Sequence, residues 1–326
     1  MDQEAFRHFL EERKTPAEQI APYIAVAEEF EAFVREAGRS EATAADVRAF
    51  SGRLIAEERN TWDSYLAVLR YGRFIENNAV LVAALELLDG AEAMEVLYEK
   101  MGQELGEPKR DELWQGIPLP PLGTPTTELP RTTRAIMERL EATVGPETVR
   151  KLLSDCLRHL DPSWYLPERE KYLQCGSLDA YLELKGQEFI AELEQFQRQG
   201  RLFFNQEITP EVIEYVRSHP EVERGVRVGD ILYLTKIPHM AKEYLAETDE
   251  GMKRYYYCHC PWAKESLRPG EDPVPASFCH CSAGFVKKPW EAVFGQPLEV
   301  EIVESVLRGD LQCRFAIHLP IEGEDD

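Results

Sequence analysis

The triplet Cys-His-Cys occurs twice in this chain, in YYYCHCPWAKES (255–266) and SFCHCSAGFVKK (277–288), and a further cysteine follows in GDLQC (309–313). Thiolate and imidazole donors suit tetrahedral zinc, and four of them from short loops close a site. The candidate metal ligands are therefore Cys258, Cys260, Cys279, Cys281 and Cys313. Five thiols exceed the four positions of a structural zinc, and the sequence leaves open which one is spare. A spare thiol beside the metal is a candidate nucleophile. The spacing is C-x-C, tighter than the C-x2-C knuckle of zinc fingers and ribbons, and it matches the usual iron–sulfur spacings poorly. Zinc is thus the expected cofactor, with a redox thiol site or buried thiols acting as small hydrophobes as competing readings. The isolated Cys156 and Cys175 take the last of these, a structural role.

Three histidines could add to the site. His259 and His280 each sit between two thiols, pointing away from them if the segment is extended, and His239 in IPHMAKEY opens a helix beside a strand. Aromatic residues gather around the cysteines. Most belong to a core, and Tyr257, Trp262, Phe285 and Trp290 are the candidates to line a small-molecule pocket beside the metal.

The elements that position these residues read as follows. KRYYYCHC and DILYLTKIP have strand character, and alternation on the first would project Cys258 and Cys260 to one side. FCHC must remain extended if Cys279 and Cys281 are to act as a pair, because residues two apart on a helix diverge by about 200°. A helix is expected over SAGFVKKPWEAVFG, started or interrupted by Pro289, then strands in LEVEIVESVL and CRFAIHL joined by a turn at RGD. Upstream, 131–200 reads as helices ending at Gly145 and Gly200, and TPEVIEYVRSHP as a short helix capped by Thr209. Residues 1–110 read as four to six short helices. Between the two regions, QGIPLPPLGTPTTELPR is rich in proline, which removes donors and blocks helix. The expected organisation is a helical bundle over 1–114, a linker over 115–130 and an α+β domain over 131–326.

Composition narrows the function. With 44% hydrophobic and 29% charged residues the chain is globular, and its 326 residues suffice for two cores. A net charge of −22 argues against a nucleic-acid partner, since phosphate binding needs a surplus of Lys and Arg. No apolar run reaches the length of a membrane helix, and the charged N-terminal stretch has no signal-peptide core, so a cytoplasmic protein with no membrane partner is expected. In a reducing compartment clustered cysteines point to metal or redox chemistry, not to disulfides. HExxH, GxxxxGK, GxSxG and GxGxxG motifs are absent from the sequence.

The stretch CSAGFVKKPWEAVFGQPLEVEIVESVLRGDLQCRFAIHL (281–319) resembles the C-terminal part of the 4-vinyl-reductase domain family, with GDLQCRF its most specific part. That family is similar in fold to heme–nitric-oxide-binding domains and to subunits of a vesicle-tethering complex, and the 2-amino-thiazoline-carboxylate hydrolase-like family has a comparable cysteine-bearing half. The resemblance implies an α+β domain with an antiparallel sheet. It also implies a structural zinc held by cysteines and an acidic ligand, near a pocket that senses phenolic and other aromatic compounds. Cys281 and Cys313 fall at its metal ligands, while a third family cysteine falls at Ser305. The N-terminal stretch TWDSYLAVLRYGRF resembles the core-binding domain of tyrosine recombinases, which grips DNA with a basic surface; here acidic residues outnumber basic ones over 1–110, so the shape serves packing or homodimer formation. The expected function is a zinc-containing sensor or carrier of an aromatic or apolar small molecule. The alternative is a metal- or thiol-dependent hydrolase of a small heterocycle. A structural metal is closed by four protein ligands, whereas a catalytic one keeps a position open.

Overall fold

The computed structural model describes residues 1–320; residues 321–326, the end of the expected C-terminal domain, lie outside them. The described chain combines many helices with one four-stranded antiparallel sheet. It divides into two compact units.

Unit 1 comprises residues 1–91 and 119–129. Its helices are α1 (Gln3–Glu12), α2 (Ala17–Glu36), α3 (Ala44–Ala56), α4 (Trp62–Phe74) and α5 (Asn78–Leu88). Four of the five have a local reason to start where they do: Asp2, Thr43, Thr61 and Asn77 accept backbone N–H bonds at the first turns of α1, α3, α4 and α5. Phe6, Phe30, Phe50 and Tyr71 meet edge-on in the core. The proline-rich segment, expected as a linker, is in part a strap on this bundle. Asn60 and Tyr65 donate to the Leu122 carbonyl and Ser51 to that of Gly123. Gly123 has φ +87°, and a Cβ there would lie 1.8 Å from the Tyr65 hydroxyl, so only glycine fits under the ring.

Unit 2 comprises, among the described residues, 92–118 and 130–320. The division falls after Ala91, so α6 (Ala93–Leu105) and α7 (Glu107–Trp114), expected in the N-terminal bundle, belong to unit 2. Leu97, Met101 and Trp114 are buried, and Arg139 of α8 (Leu129–Thr143) donates to the carbonyls of Leu113 and Gln115 at the end of α7. Then follow α9 (Pro146–Ser154), α10 (Leu166–Cys175), α11 (Leu178–Gln199) and α12 (Pro210–Ser218). The sheet contains β1 (Val226–Val228), β2 (Ile231–Thr235), β3 (Val300–Glu304) and β4 (Arg314–His318), in the order β1-β2-β4-β3. Leu232 and Leu234 of β2 and Phe315 and Ile317 of β4 face Tyr181 and Leu182 of α11 and Val286 and Trp290 of α15 (His280–Phe294). Between β2 and α15 lie α13 (Ala241–Ala246) and α14 (Glu250–Tyr257).

Three local expectations are corrected. The segment ending in YYY is helix α14, not a strand: Asp249 accepts from the Met252 N–H at 2.8 Å, Glu250 opens the first turn and Arg254 closes the last. The FCHC segment is not extended, because a 3-10 turn (Ala276–Cys279) runs directly into α15. Pro289 neither starts nor ends α15, which passes through it and stops at Gly295 in the left-handed region.

Candidate metal–thiolate centre

Four chain segments converge at the end of the sheet. The loop leaving β2 supplies Lys236, and the segment after α14 supplies Cys258, His259, Cys260 and Ala263. The entry to α15 gives Phe278, Cys279, Cys281 and Ser282, and the turn between β3 and β4 gives Val306, Leu307 and Cys313. Together they enclose a cavity of about 30 Å³. The five clustered thiols, up to 55 residues apart in sequence, therefore line one space.

Backbone bonds explain this convergence. The amides of His239 and Met240, in the loop after β2, donate to the carbonyls of Tyr257 and Tyr256 at the end of α14. The buried Tyr257 hydroxyl donates to the Lys236 carbonyl at 2.7 Å. Cys258, at the C-terminal cap of α14, thereby packs with Tyr257 and Val306 in a small buried cluster that Cys260 and Cys313 flank. Cys279 lies on a 3-10 turn and Cys281 on the first helical turn after it, and both line the cavity.

The thiols share a second feature. The Cys260 amide donates toward the Cys258 sulfur, the Trp262 amide toward Cys260, the Leu157 amide toward Cys281 and the Val306 amide toward Cys313. Cys279 receives the Ser305 hydroxyl at 3.0 Å. Burial nevertheless pushes every one of these thiols up, Cys258 to about 12 and Cys281 to about 11, so without a cation they are neutral. A bound cation reverses that preference, since the metal ligand is the thiolate. Two fixed cations stand close: Lys236 donates to Ser282 Oγ at 2.9 Å, and both Lys236 and Arg158 lie over the Phe285 ring.

The histidines behave differently from the thiols. His259 lies in the cavity wall but hydrogen-bonds the Ile237 carbonyl through Nε2 at 2.6 Å, and burial holds its pKa down to about 3. His239 is not in that wall; its ring stands 5.1 Å from that of His259 and its Nε2 meets the Asn205 amide at 2.8 Å. His280 is not in that wall either; burial lowers its pKa, and its Nδ1 is buried without a hydrogen-bond partner. Of the four aromatics expected to line a ligand pocket, none is in the cavity wall. Tyr257, Trp262 and Trp290 are core residues, and half-buried Phe285 sits under Lys236 and Arg158.

In kind, the lining is one of soft donors: five sulfurs and no carboxylate in the wall. As the side chains stand, no group of three or more His, Cys, Asp or Glu among the described residues is arranged to hold a metal ion, so the sulfurs surround the space without converging on one point. A larger cavity of about 470 Å³ lies in unit 1, lined by Glu31, Arg35, Tyr71 and Ile75 among others, and no thiol borders it. Sequence reading missed Lys236 and Ser282, whose residue types carry no signal of their own. Cys156, read as structural, is buried, and its backbone packs against Gly284 of α15.

Scans against protein-family models, curated proteins and solved structures return no match.

Proposed function

We propose that this chain is a metal–thiolate protein in which Cys258, Cys260, Cys279, Cys281 and Cys313 supply the ligands for zinc, and that the centre serves a binding or sensing role. The observation that carries this reading is the single cavity lined by all five thiols. Supporting it are the donors aimed at each sulfur, which orient ligands and favour the thiolate once a cation is present. Metal would draw together ligands from three segments, so binding and local folding are coupled.

A cavity of about 30 Å³ admits an ion, not an aromatic molecule, whose pockets run to about 300–1,000 Å³. A phenolic or apolar ligand at this place would have to displace the 258–264 or 276–282 segment, and a heterocyclic substrate of a hydrolase would face the same obstacle. The sensing role is accordingly read as metal-dependent ordering of these loops, with the larger unit 1 cavity the space of ligand size.

The test is elemental mass spectrometry of the full chain purified without chelator, alongside Cys281→Ser and Cys313→Ser. Zinc in the native protein, diminished in both variants together with a lower melting temperature, is expected. Metal-free native protein that also fails to take up added zinc would sink the reading.

A further inference from the structure

The larger cavity, of about 470 Å³, lies wholly within unit 1. It forms where the C-terminal ends of α2 and α4 meet the loop before α3 and the start of α5. Its floor is apolar: Phe30, Val34 and Tyr71 are 0%, 5% and 4% exposed, and Ile75 extends this surface to the rim. A space of this volume falls in the range of about 300–1,000 Å³ that small-molecule sites occupy.

The charges of the wall are unevenly satisfied. Both guanidinium groups are engaged: Arg35 donates to Glu31 at 3.2 Å, and Arg39 pairs with the buried Asp46. Glu31 is engaged as well, accepting also from the Tyr71 hydroxyl at 2.9 Å and from the Met1 amino group at 2.7 Å. Glu41 and Glu76 differ. Both line the cavity and are exposed, and neither carboxylate has a hydrogen bond or ion pair among the described residues. The backbone adds the same sign. Arg35 and Ile75 place the C-terminal ends of α2 and α4 at the wall, and a helix C-terminus carries partial negative charge. The N-terminus of α5, which would favour an anion, is closed by Asn77. Its Oδ1 accepts from the Val80 amide at 3.1 Å, and its Nδ2 donates to the Ala42 carbonyl at 2.9 Å.

We propose that this cavity binds an amphipathic organic cation: an amine whose ring or short aliphatic chain covers Phe30, Val34, Tyr71 and Ile75 while its ammonium group meets the carboxylates of Glu41 and Glu76 at the rim. An anion of the same shape would meet those two carboxylates and only guanidinium groups already engaged. The net charge of −22 draws cations to the whole surface, so attraction alone does not make a site; an apolar floor beneath two unpaired carboxylates sets this place apart. The inference goes beyond the metal–thiolate reading and does not depend on it, since no thiol borders the cavity.

The experiment is calorimetric titration of the full chain with two probes of one shape and opposite charge, tryptamine and indole-3-propionate. Tryptamine is expected to saturate a single site, with indole-3-propionate binding about tenfold more weakly or worse. Glu41→Gln combined with Glu76→Gln should weaken tryptamine by about tenfold, the scale of two exposed ion pairs. Glu170→Gln combined with Glu192→Gln, at two exposed carboxylates of unit 2, should leave its affinity unchanged. All four positions are at the surface, so neither double variant threatens the fold. Equal affinity for the two probes, no saturation by tryptamine at millimolar concentration, or an equal loss in both double variants overturns the amine site without touching the zinc reading. Metal-free protein that still binds tryptamine through Glu41 and Glu76 sinks the zinc reading alone.

Discussion

Ser305 stands where the 4-vinyl-reductase resemblance expects a metal-binding cysteine, and its side chain is fully buried. It does not replace that ligand. Its hydroxyl donates to Cys279 and accepts from the Leu307 amide at 3.2 Å, so it holds a neighbouring sulfur and caps the turn before Cys313. Ser305→Ala should cost about 1 kcal/mol in urea unfolding, the scale of a lost cap, and should weaken zinc affinity measured by competition with a chelator. Gly284→Ala places a methyl group against backbone, which cannot swing aside as a side chain can; a loss of about 1–3 kcal/mol is expected from overpacking, and unchanged stability would contradict the close approach. The five clustered thiols were legible because two C-x-C pairs and a nearby fifth cysteine stand out in one sequence. The close approach of Gly284 to the Cys156 backbone was not legible, since one sequence carries no signal of which backbones touch.

At the scale of elements, α14 shows where local preference misleads. Three consecutive tyrosines favour strand by propensity, yet Asp249 at the cap and the Glu250–Arg254 charge order specify helix. Asp249→Ala should cost about 1 kcal/mol and should loosen the attachment of Cys258 and Cys260, visible as faster amide exchange over 254–260. In unit 1, α2 and α3 are tied by Glu29, which pairs with Arg59 and Arg53. The Arg59 guanidinium holds the Glu29 carboxyl below its ordinary value. A carboxylate with a depressed folded pKa stabilises fully above its unfolded value and loses that contribution as pH falls through the folded one. Glu29→Gln should therefore be less stable than the native chain at pH 7, with the gap closing below about pH 4; a gap that widens in acid would contradict the pairing. The start of α12 was legible, because Thr209 signals it locally.

At the scale of the whole molecule, the two units predict two responses to metal. A ligand at a hundredfold its Kd contributes about 2.7 kcal/mol, which is about 5–10 °C in a unit of this size. Chelation should lower one calorimetric transition by that amount and leave the other, from unit 1, in place. A single transition that moves as one would show the units to be coupled. The α+β class of the C-terminal part was legible from its strands and turn, and no helix among the described residues is long and apolar enough to cross a membrane. The prolines of 115–130 mark a break in helix without saying which neighbour the broken segment lies upon.

The strap over 119–129 has a consequence for how the chain is made. A ribosome emits residues in order, so Gly123 and its neighbours emerge only after α6 and α7, which belong to the other unit. Until then the nascent bundle presents Ser51, Tyr65 and Asn60 without the carbonyls they bind. Unit 1 therefore cannot be complete when its last helix is, and a fragment cut at residue 91 would lack the piece that closes it.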